Sequence, residues 1–122
     1  MKNTQELNEK VRENYIVPAV DIYENNDEYV LKAEMPGVSK ENVEVLYEKD
    51  YLEIIGRVDL EFEENLKVID REWRLSDYYR RFKVDNSIDR DNTKAIVENG
   101  VLTITIGKNE EVKPRKIEIT TE

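Results

Sequence analysis

The sequence predicts an all-β fold, an antiparallel β-sandwich. Apolar residues recur at every second position in several short segments, which is the pattern of strands with one buried face. The pair Asn99-Gly100 lies between two such segments. It tolerates two successive positive φ values and therefore predicts a tight β-hairpin. Short strands at regular spacing, without a convincing long helix among them, favour a sandwich.

The first two strands are predicted after Pro18, in the segments AVDIY and YVLKAEM, with the turn signal ENND between them. The segment MPGV places Pro36 and Gly37 at the two central positions of a type II turn, because proline presets φ and glycine accepts a positive φ. The second strand is expected to direct alternate apolar side chains inward, namely Tyr29, Leu31, Ala33 and Met35.

The next two strands are predicted in VEVLY and YLEIIG, joined through EKD. Alternation places Val43, Val45 and Tyr47 inward on the first of them and Leu52 and Ile54 inward on the second.

Residues 57–72 are acidic and alternate poorly, and the segment is too long for an ordinary connection. A strand that includes FKV is predicted to begin near Tyr78. The Asn99-Gly100 hairpin then joins the last two strands, in TKAIV and VLTITI, and the second directs Leu102, Ile104 and Ile106 inward.

Composition argues against several classes of function. The 122 residues suit one domain and include neither cysteine nor histidine, which removes disulfide scaffolds, thiolate nucleophiles, histidine catalysis and nearly every zinc site. The net charge of −9 argues against nucleic-acid and anionic-membrane partners. Because no secretory or membrane-spanning segment is recognisable, we expect a cytoplasmic protein.

Acidic clusters and glycines do not form a recognisable chemical site. The clusters DLEFEE and DRD are typical of solvated faces or turns, and DRDNTKAIVENG lacks the ligand spacing of a calcium loop, with its glycine and closing glutamate. The four glycines form no phosphate-binding loop. We therefore expect no metal, no cofactor and no enzyme activity.

Two terminal segments lie outside the predicted sandwich of residues 18–107. Residues 1–17 have a weak apolar spacing and form either a short amphipathic helix or a disordered arm. Residues 108–122 carry Ile117 and Ile119, and the last nine residues, PRKIEITTE, are otherwise mainly charged and hydroxylated. Two alternating isoleucines form one apolar face of an extended segment, and so short a segment needs another surface to pack against.

Several motifs, taken in order, resemble the small heat-shock protein family: PAVDIYENNDEYVLKAEMPGV, DYLEIIGR, REWRLSDYYRRFKV, AIVENGVLTITI and PRKIEI. The resemblance covers roughly residues 18–119. It implies an immunoglobulin-like β-sandwich, the α-crystallin domain, with a C-terminal I-x-I tail. It also implies an ATP-independent holdase, which binds unfolding proteins and assembles as a dimer-based homo-oligomer.

The resemblance implies a site for the tail. In the family, both isoleucines of the I-x-I motif insert into a groove on a neighbouring subunit. For Ile117 and Ile119, one wall of that groove would be Val43 and Val45, and the other would be Ala95 and Ile96.

It also implies a dimer interface. Arg80, with Phe82 two positions later, resembles an arginine at or near the interface, although an ordinary solvated cation remains an alternative. Arg71 and Glu72 resemble a pair beside the loop strand that subunits exchange. The apolar residues of that excursion, among them Phe62 and Val68, would pair with a partner's edge. A flexible acidic loop is the alternative there.

Departures from the family pattern leave other functions open. Val84-Asp85-Asn86 stands where Leu-Pro is usual, Gly107-Lys108 replaces Pro-Lys, and residues 1–17 contain no phenylalanine or tryptophan. One alternative is a structural, self-assembling sandwich protein of the same family, such as a spore or coat protein. A non-oligomeric co-chaperone module is another, although the tail counts against it. The segment KIEIT could also be an ordinary edge strand of its own domain.

Overall fold

The computed structural model describes residues 15–58 and 77–121, and this part of the chain contains seven β-strands and two short 3-10 helices. The strands are β1 Val20–Glu24, β2 Glu28–Glu34, β3 Val43–Glu48, β4 Tyr51–Gly56, β5 Tyr78–Lys83, β6 Ile88–Glu98 and β7 Val101–Lys108. The 3-10 helices are η1 Lys40–Asn42 and η2 Glu110–Val112. The predicted all-β class is confirmed.

The strands form two antiparallel sheets that face each other. One sheet has the order β1-β2-β7-β6 and the other has the order β3-β4-β5. Among the described residues, β3 and β6 therefore lie at sheet edges, as do β1 and β5. An isolated parallel bridge adds Ile16 beside Tyr78 at the start of β5.

The core lies between the two sheets and contains the side chains that alternation predicted. Leu31, Ala33 and Met35 are buried on one strand, and Leu52 and Ile54 are buried opposite them. Strand β7 contributes Leu102, Ile104 and Ile106, all at most 2% exposed. Tyr29, Val43, Val45 and Tyr47 are partly buried and pack against this cluster.

The predicted turns are present. Asn99 and Gly100 have φ values of 52° and 75°, as a hairpin with two successive positive φ values requires. Gly37 has a φ of 83° after Pro36, which suits the expected type II turn.

Strand β4 is buried on both faces, which alternation alone did not indicate. Glu53 and Ile55 point away from the core, yet both are fully buried. Tyr79, the register partner of Ile55 on β5, is also buried, and its hydroxyl donates a 3.2 Å hydrogen bond to Glu53. The ring of Tyr15 packs edge-on against Tyr79 with a centroid distance of 5.3 Å. The outer face of the three-stranded sheet is therefore a second, smaller buried layer.

Four predicted interface residues, Phe62, Val68, Arg71 and Glu72, lie outside the described residues. The acidic segment DLEFEE lies outside them as well.

Candidate tail-binding groove

Strands β3 and β6 border an open edge of the sandwich, each from a different sheet. Contacts join β6 to β3 and to the turn that follows it: the Tyr47 hydroxyl lies 2.8 Å from Thr93 Oγ1, and the Arg90 guanidinium donates a 2.5 Å hydrogen bond to the Lys49 carbonyl. The two strands therefore run in opposite directions along this edge. Steps of two residues from the Tyr47–Thr93 pair reach Val45 with Ala95 and then Val43 with Val97. We call the opening between these strands the edge groove.

Ala95 lies on the inner face of β6, at the edge groove. This residue pairs with Ile104 on the adjacent strand and shares its inward face, and Ile104 is 1% exposed. Ala95 is nevertheless exposed, because its own side chain is small and β6 is an edge strand. Val43, Val45 and Val97 are only partly buried. The edge groove therefore has an apolar lining that solvent can reach.

Ala95 and Ile96 lie on opposite faces of β6. Ile96 pairs with Thr103 on the outer face of the four-stranded sheet and is 64% exposed. Sequence reasoning grouped the two residues on one wall, but successive residues of a strand point to opposite faces. Val97, which sequence reasoning did not include, pairs with the buried Leu102 and shares the inner face with Ala95.

One end of the edge groove is closed by side chains. The Arg90 guanidinium lies 5.1 Å from the centre of the Tyr47 ring, and Thr93 Oγ1 is also 3.4 Å from the Asp89 carbonyl. Burial raises the pKa of the Tyr47 phenol above its ordinary value, against the smaller effects of Thr93 and Arg90. At the other end, η1 lies against β6, and the Asn42 carbonyl accepts a 2.9 Å hydrogen bond from the Arg57 N–H.

The tail is fixed at its base and exposed at its isoleucines. The Asn109 side-chain amide donates to the carbonyls of Asn86 and Ile88 at 2.6 and 2.9 Å, and its backbone N–H donates to the Ser87 carbonyl at 2.8 Å. Ile117 is 82% exposed and Ile119 is 91% exposed. Residues 114–121 form no strand with the described part of the domain, so KIEIT is not an edge strand of its own sandwich in this structure.

Arg80 is engaged within its own chain. It pairs with the buried Ile54 and so lies on the inward face of β5. Its guanidinium donates a 3.1 Å hydrogen bond to the Pro18 carbonyl and lies 4.7 Å from the centre of the Phe82 ring. The alternative of a freely solvated cation does not fit this geometry.

Strand β1 forms the edge of the four-stranded sheet that lies farthest from β6. Its residues Ile22 and Tyr23 are each 54% exposed. A cavity of about 240 Å³ opens beside this edge between the sheets. Its apolar lining includes Ile22, Tyr29, Phe82, Val84, Ile88 and Ile106.

The described residues contain no group of three or more acidic side chains placed to hold a metal ion. No helix in the described part of the chain is long and apolar enough to cross a membrane.

These features define a class of protein: a β-sandwich with an apolar edge groove and a detached tail that presents two alternating isoleucines. The Hsp20/alpha crystallin family model matches residues 21–120. The chain belongs to this family, the small heat-shock proteins. The resemblance inferred from the order of the motifs is confirmed.

Two curated relatives illustrate the similarity. A probable 15 kDa heat shock protein from Leptospira interrogans is 34% identical over 120 residues, which cover 98% of this chain and 90% of the relative. Spore protein SP21 from Stigmatella aurantiaca is 34% identical over 104 residues, which cover 84% of this chain but only 62% of the relative.

Solved structures show the same fold. Heat shock protein 16.0 from Schizosaccharomyces pombe matches with a TM-score of 0.67 and 31% identity, covering 88% of this chain and 99% of that one. A small heat-shock protein from Xylella fastidiosa matches with a TM-score of 0.67 and 34% identity, covering 87% and 98% of the respective chains.

Proposed function

We propose that this protein is a holdase that binds unfolding proteins without ATP and assembles as a homodimer and as a higher homo-oligomer. One observation carries the proposal: the chain exposes an apolar pair, Ile117 and Ile119, and an open apolar groove at Ala95 at the same time. Within the described residues, the isoleucines have no apolar surface to pack against, and the groove has no apolar side chain to fill it. Docking of the tail of one subunit into the edge groove of another satisfies both.

A single docking contact of this kind is weak. Burial of two isoleucine side chains contributes roughly 1.5–3 kcal/mol each. Ordering the linker between β7 and the isoleucines costs conformational entropy of comparable size. Repetition over several subunits raises the local concentration of tails and strengthens the whole assembly. Weak, repeated contacts open readily, which suits a protein that must expose apolar surface to its clients.

The dimer contact is proposed at β1. An exposed sheet edge presents unpaired N–H and C=O groups that a second strand can satisfy. We propose that the partner subunit supplies this strand from its 57–72 segment, through the apolar residues Phe62 and Val68, with Arg71 and Glu72 beside it. Arg80 would support the interface indirectly, because it ties β5 to Pro18, two residues before β1.

Unfolding proteins would bind the same kinds of surface when assembly contacts open. The edge groove offers apolar side chains, and β1, which lies at a sheet edge within the described residues, has Ile22 and Tyr23 exposed. The net charge of −9 would keep the resulting complexes in solution. We place this activity in the cytoplasm and propose neither nucleic acid nor membrane as a partner.

A structural role is the second candidate. The relative from Stigmatella aurantiaca is a spore protein by name. The first 17 residues also lack phenylalanine and tryptophan, side chains that would supply large apolar contacts to clients. In this alternative, self-assembly through the same groove is the function itself.

An aggregation assay separates the two candidates. A heat-labile protein is warmed without ATP, with and without this chain, and aggregation is followed by light scattering. A holdase suppresses the scattering in proportion to the subunits added. Bovine serum albumin at equal mass is the control and should not suppress it. Failure to suppress scattering at several-fold subunit excess would refute the holdase proposal and leave the structural role.

A further inference from the structure

Three side chains join the edge strands at one end of the edge groove. Tyr47 and Thr93 are joined by a 2.8 Å hydrogen bond, and Arg90 lies over the Tyr47 ring while it donates to the Lys49 carbonyl. We name Tyr47, Thr93 and Arg90 the clasp. These side chains occupy the space between β3 and β6. An extended segment that lies in the groove therefore cannot continue along it past the clasp.

Arg90 lies in an irregular, bulge-like part of β6. The pairing of β6 with β7 shifts register between Asp89 and Thr93, and bulges commonly redirect a side chain. Opposite the bulge lies Gly107, where an added Cβ would clash with the side chain of Asn92. The absence of a side chain at Gly107 therefore accommodates the bulge and, through it, the clasp.

Two apolar levels remain open between the clasp and η1. One is formed by Val45 with Ala95, and the other by Val43 with Val97. They are two strand residues apart, or about 6.5–7 Å. An extended tail places Ile117 and Ile119 at the same spacing. The number of isoleucines in the tail thus equals the number of open levels.

We propose that the clasp sets the register of the docked tail of a second subunit, because it limits the edge groove to two apolar levels. The groove then accepts isoleucines at positions i and i+2 and gains nothing from a third at i+4. This inference rests on the tail docking in the proposed function and adds to it the residues that determine its specificity.

The test uses the full chain carrying Ile117→Ala and Ile119→Ala as the receptor, so that its own tail does not compete. The probe is a fluorescent peptide of residues 109–122, with binding followed by anisotropy. Two further peptides carry a third isoleucine at either end, through Arg115→Ile or Thr121→Ile. With the clasp intact, both should bind within about twofold of the natural peptide.

A receptor that also carries Tyr47→Val and Thr93→Ala converts the clasp into a third apolar level resembling Val45 with Ala95. One of the three-isoleucine peptides should then bind about tenfold more tightly than the natural peptide, through the added burial. Thr103→Ala is the matched control, because it makes the same threonine-to-alanine change on the outer face of β7. It should not alter the relative affinities for the two- and three-isoleucine peptides. Tyr47→Leu, which keeps an apolar side chain inward, is the second variant if the double variant does not fold.

The outcomes are distinct. A tenfold gain from the third isoleucine on the intact receptor overturns the role of the clasp, and so does the lack of any gain on the opened receptor. If the natural peptide does not bind the intact receptor at all, the tail docking itself is refuted, and the register role falls with it. A gain confined to the opened receptor supports the proposal.

Discussion

The backbone N–H of Met35 donates a 2.7 Å hydrogen bond to the Gly100 carbonyl, so the Met-Pro-Gly turn and the Asn-Gly hairpin meet at one end of the sandwich. A Cβ on Gly100 would lie 3.3 Å from the Cα of Pro36, and its φ is 75°. Two turns that are recognised separately in the sequence therefore constrain each other in the fold.

Gly100→Ala should lower the free energy of unfolding by about 1–3 kcal/mol, because it combines an unfavourable φ with a close backbone contact. Urea unfolding at fixed subunit concentration measures the change. Gly37→Ala is the control, since its φ is 83° but a Cβ there would come closest to a side-chain atom, Val58 Cγ1, at 3.7 Å. An equal loss in both variants would show that the contact with Pro36 contributes nothing.

Ile117→Ala combined with Ile119→Ala should reduce the mass of the assembly while the dimer persists, because the tail contact is lost and the proposed β1 contact is not. Light scattering on a sizing column measures the mass. Lys116→Ala with Glu118→Ala changes the intervening positions of the same tail and should leave the mass unaltered. An unchanged mass in the isoleucine variant would count against docking.

Ala95→Leu should reproduce the loss of mass from the opposite side of the contact. The larger side chain would fill the opening on the inward face of β6, so the tail of a neighbouring subunit could not enter. Ile96→Leu is the matched control on the adjacent residue, which faces outward. If both variants keep the parental mass, the tail does not bind at Ala95.

Arg80→Ala should destabilise the fold by about 1.5–3 kcal/mol, because it removes a charged hydrogen bond to the Pro18 carbonyl. Weaker dimerisation should accompany this, as measured by sedimentation over a dilution series. Arg81→Ala is the control: Arg81 lies on the opposite face of β5, with its guanidinium 4.3 Å from the centre of the Tyr51 ring. If the variant dimer has the dissociation constant of the parental dimer, Arg80 does not contribute to the dimer interface.

Stability should fall at alkaline pH. Burial raises the pKa of Tyr47 and of Tyr78 above their ordinary value of 10.0. The unfolded chain therefore loses these protons first, so the stabilisation is complete below about pH 10 and is lost as pH rises through the folded-state pKa values. Unfolding midpoints across this range measure the slope. Tyr47→Phe combined with Tyr78→Phe should reduce the dependence of stability on pH. An unchanged dependence would show that these two tyrosines do not cause it.

The predicted core and turns depended on local features. Leu31, Ala33, Leu102 and Ile104 face inward because strand residues alternate, and Asn99-Gly100 turns because of its own backbone preferences. Such preferences act within a few residues and can be recognised from the sequence without knowing which strands pair.

Other features depend on how the sheets pack. The adjacent apolar residues Ile54 and Ile55 were compatible with a strand covered on both faces, but the sequence did not show what would cover the outer face. Alternation alone places Ala95 and Ile96 on opposite faces, but which of the two faces inward depends on the register of β6 against β7. Tyr47 and Thr93 are 46 residues apart and belong to different sheets, so no local pattern could pair them.

By itself, the sequence determined the class of fold, the family, and the presence of a tail with two alternating isoleucines. Tertiary structure alone decided that Ala95 is exposed on the inner face of β6, that Arg80 binds the Pro18 carbonyl, and that the clasp closes one end of the edge groove. The physical reason is that alternation and turn chemistry are properties of neighbouring residues, whereas a groove exists only between strands that folding brings together from distant parts of the chain.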